Sequence, residues 1–550
     1  MKRSSPWLSR RDLFACLIGA HASLWLGCNR PKTSFGGQLL SPDFATGHRI
    51  RDRLLTAEPP STREKVDVLI VGGGIAGLSA AWRLKQAGAG RVVLLEIDSV
   101  PGGTSRGERE GEFAFPWGAH YVPTPLKHQR GLIALLKEME VVIGEHADGE
   151  PKVAEQYLCR DPQERVFVEG EWVEGIYPII GASDEDLRQL EKFRGIIDEW
   201  IDRRDEQGRR MFSIPIATCS DIEEVRSLDR MTMGQWMSEK GFDSPRLRWL
   251  VDYSCRDDYG LSIDETSAWA GVFYFASRGK DANESTQDVI TWPEGNARVV
   301  DYLVSRNAEE IRCSHAVYRI ESERVGGHDV SRIDVWDTAS ERVIGFEAKH
   351  VVFAAPQFVA PHVIQGYRES EGREPSAFQY GSWLVANVHL RDRPVEAEST
   401  MCWDNVIYES KSLGYVSAGH QAGNDYGPAV LTWYYPLVDQ AGAVSREQLL
   451  SLRWEDWAEM IVADLSVAHR DIDQRIERLD IMRWGHAMIQ PRPGFIWGDA
   501  RRQAAKPFAN VHFANTDLSG VALLEEAFYH GVRAAEEILA AQGREVESIL

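Results

Sequence analysis

The sequence predicts an α/β protein: a doubly wound, mainly parallel sheet assembled from separated stretches of chain, with an α+β portion inserted between them. Three observations predict it. The apolar run Val66–Val71 leads into Gly72, Gly74 and Gly77, a helical stretch, and a second apolar run, Val92–Leu95, that ends at Glu96. Strand, glycine turn, helix and strand in that order make a βαβ unit with parallel strands. Val351 to Pro356 (Val-Val-Phe-Ala-Ala-Pro) is a continuous apolar run of the kind buried on both faces of a sheet. Val511 to Asp517 is a further strand ending in an acid, followed by a helix from about Leu523 to Leu539 with Gly531 inside it.

Each part of the βαβ unit has a physical task. Gly72 permits the tight turn, Gly74 lets backbone approach a pyrophosphate, and Gly77 lets helix and strand pack closely. Ile75 and Ala76 form the first helical turn, whose N–H groups and positive dipole end face the same anion. Glu96 closes the second strand, where a carboxylate accepts hydrogen bonds from ribose hydroxyls and repels a 2′-phosphate. The pattern predicts a dinucleotide site and disfavours NADP.

At 550 residues the chain exceeds one simple core, and its 43% hydrophobic content is that of a globular protein. The net charge of −21 excludes nucleic acid as a partner, since such binding rests on phosphate neutralisation. An acidic body suits a cationic small-molecule substrate. Cysteines at 16, 28, 159, 219, 255, 313 and 402 contain no C-x-x-C pair, so no metal site is predicted and most are read as buried thiols.

The N-terminus reads as a targeting segment. Lys2 and Arg3 begin it, Arg10 and Arg11 follow, and Leu13–Leu26 is an apolar run too short to span a membrane comfortably. Residues 1–28 therefore look like a twin-arginine export signal, and that route carries folded proteins, as a nucleotide-loaded enzyme requires. Two endings stay open: Leu26-Gly27-Cys28 as a lipobox that would tether the protein to a membrane through Cys28, or cleavage after Ala20-His21-Ala22. The predicted location is periplasmic, or anchored on the outer side of the inner membrane. Residues 29–62, rich in Pro and Gly, read as a linker or extended arm.

Beyond Glu96, the stretches Pro101-Gly102-Gly103-Thr104-Ser105-Arg106-Gly107 and Phe115-Pro116-Trp117-Gly118-Ala119-His120-Tyr121-Val122 resemble the flavin amine oxidase superfamily, which includes amine oxidases, protoporphyrinogen oxidases and carotenoid desaturases. The resemblance implies a Rossmann-like FAD-binding domain. It assigns Gly102 and Gly103 to the pyrophosphate and ribityl chain, and Gly118 and Ala119 to the isoalloxazine edge. Thr104 stands where the family has Arg, which leaves Arg106 as the substitute. The resemblance also reads Trp292–Arg298, with a helix around Val300 to Leu303, as re-entry into the cofactor domain. It places the Val317 backbone at adenine and Asp517 at the ribityl chain, with Val521 leading into a last helix aimed at the pyrimidine end. Asn515 and Glu526 depart from family glycines.

The implied domains are an FAD-binding domain from residues 63–130, 291–361 and 490–541, and a substrate domain from 131–290 and 362–489. Within the latter, Ser183 to Met211 reads as a solvated helix, and Ser445-Arg446-Glu447-Gln448 as a capping box opening a helix through Leu465. His120 and Tyr121, with Trp117, are expected near the flavin ring, and Trp484 and His486 on the facing side. The expected reaction is hydride transfer from a substrate C–H bond to flavin N5, most simply an amine oxidation. The Trp484-Gly485-His486-Ala487 segment and the absence of lysine from Tyr380–Leu390 keep a protoporphyrinogen oxidase or desaturase alternative open. The departures at Thr104, Asn515 and Glu526 keep a non-catalytic binding or assembly protein open. The electron acceptor, oxygen or a quinone, and the oligomeric state are not specified by the sequence.

Overall fold

Seven strands build the sheet that carries the glycine turn: β1 (Glu64–Val71), β2 (Val92–Leu95), β3 (Ile311–Arg312), β4 (His315–Val325), β5 (His328–Asp337), β6 (Arg342–Phe353) and β7 (Val511–Phe513). The structure, a computed structural model, describes residues 34–55, 59–280, 288–394, 401–408, 410–423, 426–440 and 442–550. The twin-arginine segment, Ala20-His21-Ala22 and Cys28 lie outside the described residues.

The order across the sheet is β3-β2-β1-β6-β5-β4. β6 is long enough to have two neighbours on one edge: Arg342–Ala348 pairs antiparallel with β5, while Val351–Phe353 pairs parallel with β7. Its other edge runs parallel to β1. Strands β3, β2, β1, β6 and β7 thus make a parallel layer, and β4 and β5 extend it as an antiparallel meander, giving the predicted α/β class. β1 shows why the layer forms. Val68 and Ile70 enter one core with α1 (Ile75–Gln86), α2 (Ala297–Arg306) and α3 (Leu524–Ala541), while Leu69 and Val71 enter the core on the opposite face. Each such side chain contributes roughly 1.5–3 kcal/mol by leaving water. The long helix α3 lies tight on α1 because Gly531 has no side chain; a Cβ there would stand 2.3 Å from the Ala76 carbonyl oxygen.

A second, mainly antiparallel sheet has eight strands, in the order Leu39–Leu40, Ile476–Ile489, Tyr380–Leu390, Ala429–Pro436, Tyr415–Ser417, Asp404–Ile407, Glu164–Val168 and Glu171–Glu174. Helices Asp184–Asp202, Pro245–Tyr259 and Ala268–Ala276 share a further core around Phe193, Trp236, Trp269 and Phe273.

Three local expectations are corrected. Residues 39–51 are not an extended arm: Leu39–Leu40 pairs with Ile481–Met482, and Phe44–Arg51 is a helix capped by the Asp43 carboxylate. The helix read over Ser183–Met211 ends at Asp202 and buries Leu190, Phe193, Ile197 and Ile201, so its charged face is only its outer one. Ser445 opens no capping box, because its hydroxyl donates to the Leu437 carbonyl at 3.1 Å. Two helices, Gly442–Ser451 and Trp454–Ala468, replace the single one, and at the start of the second the Asp456 carboxylate accepts from the Arg453 N–H at 3.1 Å.

Candidate active site

The glycine turn and Glu96 form one unit. Gly72 has φ +103°, a conformation that favours glycine, and a Cβ on Gly77 would lie 2.0 Å from the Gly72 carbonyl oxygen. Gly74 differs: a Cβ built there meets nothing within 4 Å, and its residue begins α1 without a side-chain cap. Ile75 and Ala76 are buried in the first turn. The Glu96 carboxylate accepts from the Gly73 N–H at 2.6 Å and from the Asp98 N–H at 2.8 Å. Burial pushes its pKa up to about 7 against those two bonds. The His315 N–H donates to the Glu96 carbonyl at 2.8 Å, which brings the start of β4, with Val317 two residues on, beside the end of β2.

The two loops singled out by sequence are zipped together. Gly102 N–H donates to the Gly73 carbonyl, and a Cβ on Gly103 would lie 3.6 Å from Gly74 Cα. Ala119 N–H donates to the Thr104 carbonyl, which is also why position 118 is glycine: its Cβ would stand 2.2 Å from that oxygen. The re-entry segment closes on the same loop, with Asn296 N–H donating to the Ala119 carbonyl and the Asn296 side chain to the Tyr121 carbonyl.

Two residues assigned to the cofactor are engaged with protein groups. Arg106 pairs with Asp98 at 2.9 Å and lies over the Trp484 ring at 5.0 Å. Asp517 is fully enclosed, accepting from the Gln357 N–H at 2.7 Å and from the Tyr380 hydroxyl, with burial lifting its pKa to about 6. Asn515 ties β7 to β6 through the Ala354 carbonyl. Glu526 turns its carboxylate to the Ile216 N–H and the Ser519 hydroxyl. Val521 is buried in the helical core beside Ile496.

Beside Gly118–Tyr121 stands a cluster that no single motif announces. The His120 ring lies 4.8 Å from Tyr434, 5.3 Å from Trp403 and 5.3 Å from Tyr121. The Tyr434 hydroxyl donates to the Gly118 carbonyl at 2.9 Å and so fixes the loop. Burial drives the His120 pKa down to about 4, leaving a neutral imidazole. Next to these rings are Tyr253, Tyr274 and the carboxylates of Glu164, Asp257 and Asp404. Burial raises Glu164 to about 7; burial and then the neighbouring Asp258 raise Asp257 to about 7. Asp404 is raised further by burial and by the charges of Asp257 and Glu164, although Tyr253 hydrogen-bonds to it. His120, Tyr121, Tyr274, Trp403 and the three carboxylates keep partial solvent access despite this depth, so the group lines an internal cleft.

On the strand Ile476–Ile489, Trp484 donates its indole N–H to the Trp117 carbonyl at 2.7 Å. His486 stacks on Phe358 at 4.3 Å rather than on His120, and burial lowers its pKa to about 4. The structure therefore joins His120 with Tyr121, and Trp484 with Trp117, while His486 sits in a separate stack. Sequence reasoning missed Glu164, Tyr253, Asp257, Trp403, Asp404 and Tyr434. The available signal was Asp257-Asp258, adjacent acids in a helix whose neighbours Tyr253, Cys255 and Tyr259 are all buried.

These residues fit FAD at its adenosine and pyrophosphate end. The fit rests on the uncapped start of α1, the open space beside Gly74 and the buried acid at the end of β2. Comparisons with known proteins agree. The flavin-containing monoamine oxidase, by name, AofH of Mycobacterium tuberculosis strains CDC 1551 and H37Rv is 25% identical over 279 residues, covering 49% of this chain. The chain spans about half the length of these curated relatives, 53%. The fold is shared with putrescine oxidase solved with putrescine bound, at a TM-score of 0.63 and 16% identity over 87% of this chain and all of that one. It is shared too with cyclohexylamine oxidase from Brevibacterium oxydans IH-35A, at 0.60 and 18% over 88% of this chain and 100% of that one. A fatty acid isomerase from P. acnes has the same fold at 0.59 and 13% identity, covering 86% of this chain and 98% of that one. The family model of flavin-containing amine oxidoreductases matches residues 75–539, and the chain belongs to that family of FAD-dependent oxidoreductases.

Proposed function

We propose that this protein is an exported amine oxidase that acts in the periplasm or from an anchor on the outer side of the inner membrane. The observation that carries the amine reading is the cleft beside Gly118–Tyr121, in which aromatic faces and the carboxylates of Glu164, Asp257 and Asp404 meet. Such a surface favours an organic cation, by attraction to ring faces and by direct charge. The amine oxidases among the structural relatives support the same reading.

Bound FAD supplies a two-electron acceptor for the C–H bond next to the substrate nitrogen. The chain's own residues position and shield. Tyr434 and Thr104 hold the Gly118–Ala119 backbone, and Trp484 holds the Trp117 carbonyl, so the loop is fixed from both sides. His120 packs among Tyr121, Trp403 and Tyr434 as a neutral wall that keeps water out. The carboxylates hold the ammonium group at the cleft.

Anaerobic mixing of the purified flavoprotein with a panel of amines and a porphyrinogen tests this. Amines are expected to bleach the flavin absorbance, and bleaching by the porphyrinogen alone would replace the reading with the hydrophobic-substrate alternative. A colourless protein that takes up no FAD points to the binding role. Export rests on Arg10 and Arg11; the double substitution Arg10→Lys, Arg11→Lys is expected to leave the protein in the cytoplasmic fraction, and unaltered export would remove the twin-arginine assignment.

A further inference from the structure

Residues 37–51 cross from one sheet to the other. At the start, Gly37 lies so close to the strand Ile476–Ile489 that a Cβ would stand 1.7 Å from the Leu479 carbonyl oxygen. The Gln38 N–H donates to the Asp480 carboxylate at 3.0 Å, the Ile481 N–H donates to the Gln38 carbonyl at 2.8 Å, and Leu39–Leu40 pairs parallel with Ile481–Met482. Arg483 donates to the Ser41 hydroxyl at 3.0 Å and lies over the Phe44 ring at 5.9 Å. At the far end, Ile50 of the helix Phe44–Arg51 shares a core with Val317 and Ile320 of β4, and the Arg49 guanidinium lies over the Trp336 ring of β5 at 5.3 Å.

The middle of this segment is bonded to the cofactor site. The Asp43 N–H donates to one oxygen of the Asp98 carboxylate at 2.6 Å, and the other oxygen pairs with Arg106 at 2.9 Å. The Asp98 N–H donates to the Glu96 carboxylate, and Arg106 Nη2 meets the sulfur of Met482, the residue that pairs with Leu40. Through Asp98, Met482 and the core at Ile50, the segment thus reaches three residues expected at FAD: Glu96, Arg106 and Val317. The Asp98 and Arg106 side chains are 14% and 11% exposed, so little water reaches this network while the segment is docked. The segment's own hold is slight. Of residues 37–51 only Thr46 and Ile50 are buried, and a helix of eight residues does not persist alone in water. A segment held mainly by hydrogen bonds near the surface opens more readily than the core beneath it.

We propose that residues 37–51 are a strap that closes over bound FAD and retains it: FAD leaves only when the strap is undocked, and the strap docks more firmly when FAD is bound. FAD held by Glu96 and Arg106 fixes both side chains, and Asp98, which bonds to each of them, is then held where the Asp43 N–H meets it. The coupling is reciprocal, since a cofactor that favours the docked strap is itself bound more tightly by that form. Asp98 is the positioning residue between the two. Retention depends on the FAD site and not on which substrate is oxidised.

Release of FAD from the holoenzyme, followed by the rise in flavin fluorescence after dilution, tests this in three variants. Gly37→Val cannot seat against Leu479, and Asp43→Pro suits the φ of −70° while removing the N–H that bonds Asp98. Each is expected to speed release about ten-fold or more, the size of one hydrogen bond to a charged group, with the thermal midpoint of the flavin-free protein unchanged. Asp43→Asn keeps both the N–H and a capping side chain, and is expected to release FAD at the parent rate. Parent rates in the first two variants, a parallel fall in their flavin-free midpoints, or equal acceleration by Asp43→Asn overturns the strap. Hydrogen exchange on the unaltered protein decides the matter even where a variant fails to fold. The backbone amides of residues 38–44 are expected to exchange about ten-fold more slowly in the holoenzyme than in the flavin-free form, and equal exchange overturns the proposal.

Discussion

The Glu96 carboxylate and the Gly73 N–H are joined by a 2.6 Å hydrogen bond, which ties the acid at the end of one strand to the turn at the end of the next. Because the Asp98 N–H donates to the other oxygen, both oxygens are oriented by backbone. Glutamine at position 96 offers one acceptor and one donor, so one of the two N–H groups loses its partner. Glu96→Gln is expected to weaken FAD binding on the order of ten-fold, since an unsatisfied buried donor costs about 1–3 kcal/mol. Flavin titration followed by fluorescence quenching measures this, and unaltered affinity would remove Glu96 from the ribose site.

Gly74 and Gly77 separate binding from folding. A side chain at 74 points into open space, and the residue's φ of −75° suits any amino acid. Gly74→Val is therefore expected to keep the thermal midpoint of the flavin-free protein while abolishing flavin uptake. A Cβ at 77 collides with the Gly72 carbonyl, so Gly77→Ala is expected to lower stability by about 1–3 kcal/mol even without flavin. Equal stability losses in the two variants would show that Gly74 is needed for the fold and not for the cofactor.

Legibility in the sequence tracked distance along the chain. The turn at Gly72–Gly77 and its acid lie within a short stretch, and a βαβ unit repeats its physics wherever it occurs, so both the α/β class and the cofactor end could be read locally. The cleft could not. Glu164, Asp257, Asp404 and Tyr434 come from separate segments, and none has a spacing that distinguishes it from a solvated acid or a core tyrosine. Arg106 and Asp517 illustrate a second limit: their position in a motif was legible, but Asp98, Trp484 and Tyr380, which engage them, are supplied by tertiary packing.

His120 is enclosed by rings and its pKa lies at about 4, so at neutral pH it is a neutral imidazole without the imidazolium proton a general acid would donate. His120→Phe is expected to lower kcat/KM by a factor that is the same across pH 6–9, because only the shape of the wall changes. Measuring the full pH profile of both forms decides the point. Loss of an ionisation limb in the variant would assign His120 to proton transfer instead.

Glu526 offers a pH test of stability in the helix that completes the cofactor domain. Its carboxylate is enclosed, accepts from Ser519 and the Ile216 N–H, and is raised by burial from 4.5 to about 7. A raised folded pKa means that folding favours the protonated form. The contribution is complete below about pH 4.5 and is lost as pH climbs through about 7, on the order of 3 kcal/mol by pH 8. Glu525, Glu164 and Asp257 shift in the same direction, so the flavin-free protein should lose thermal stability from pH 5.5 to 8. Glu526→Gln stays neutral and retains an acceptor for Ile216, so it should flatten that slope and be more stable than the parent at pH 8 while matching it or falling slightly below at pH 5.5. A variant destabilised equally at both pH values would mean that Glu526 is held ionised throughout, and that the buried charge is compensated by Ser519, Ile216 and Arg501 together.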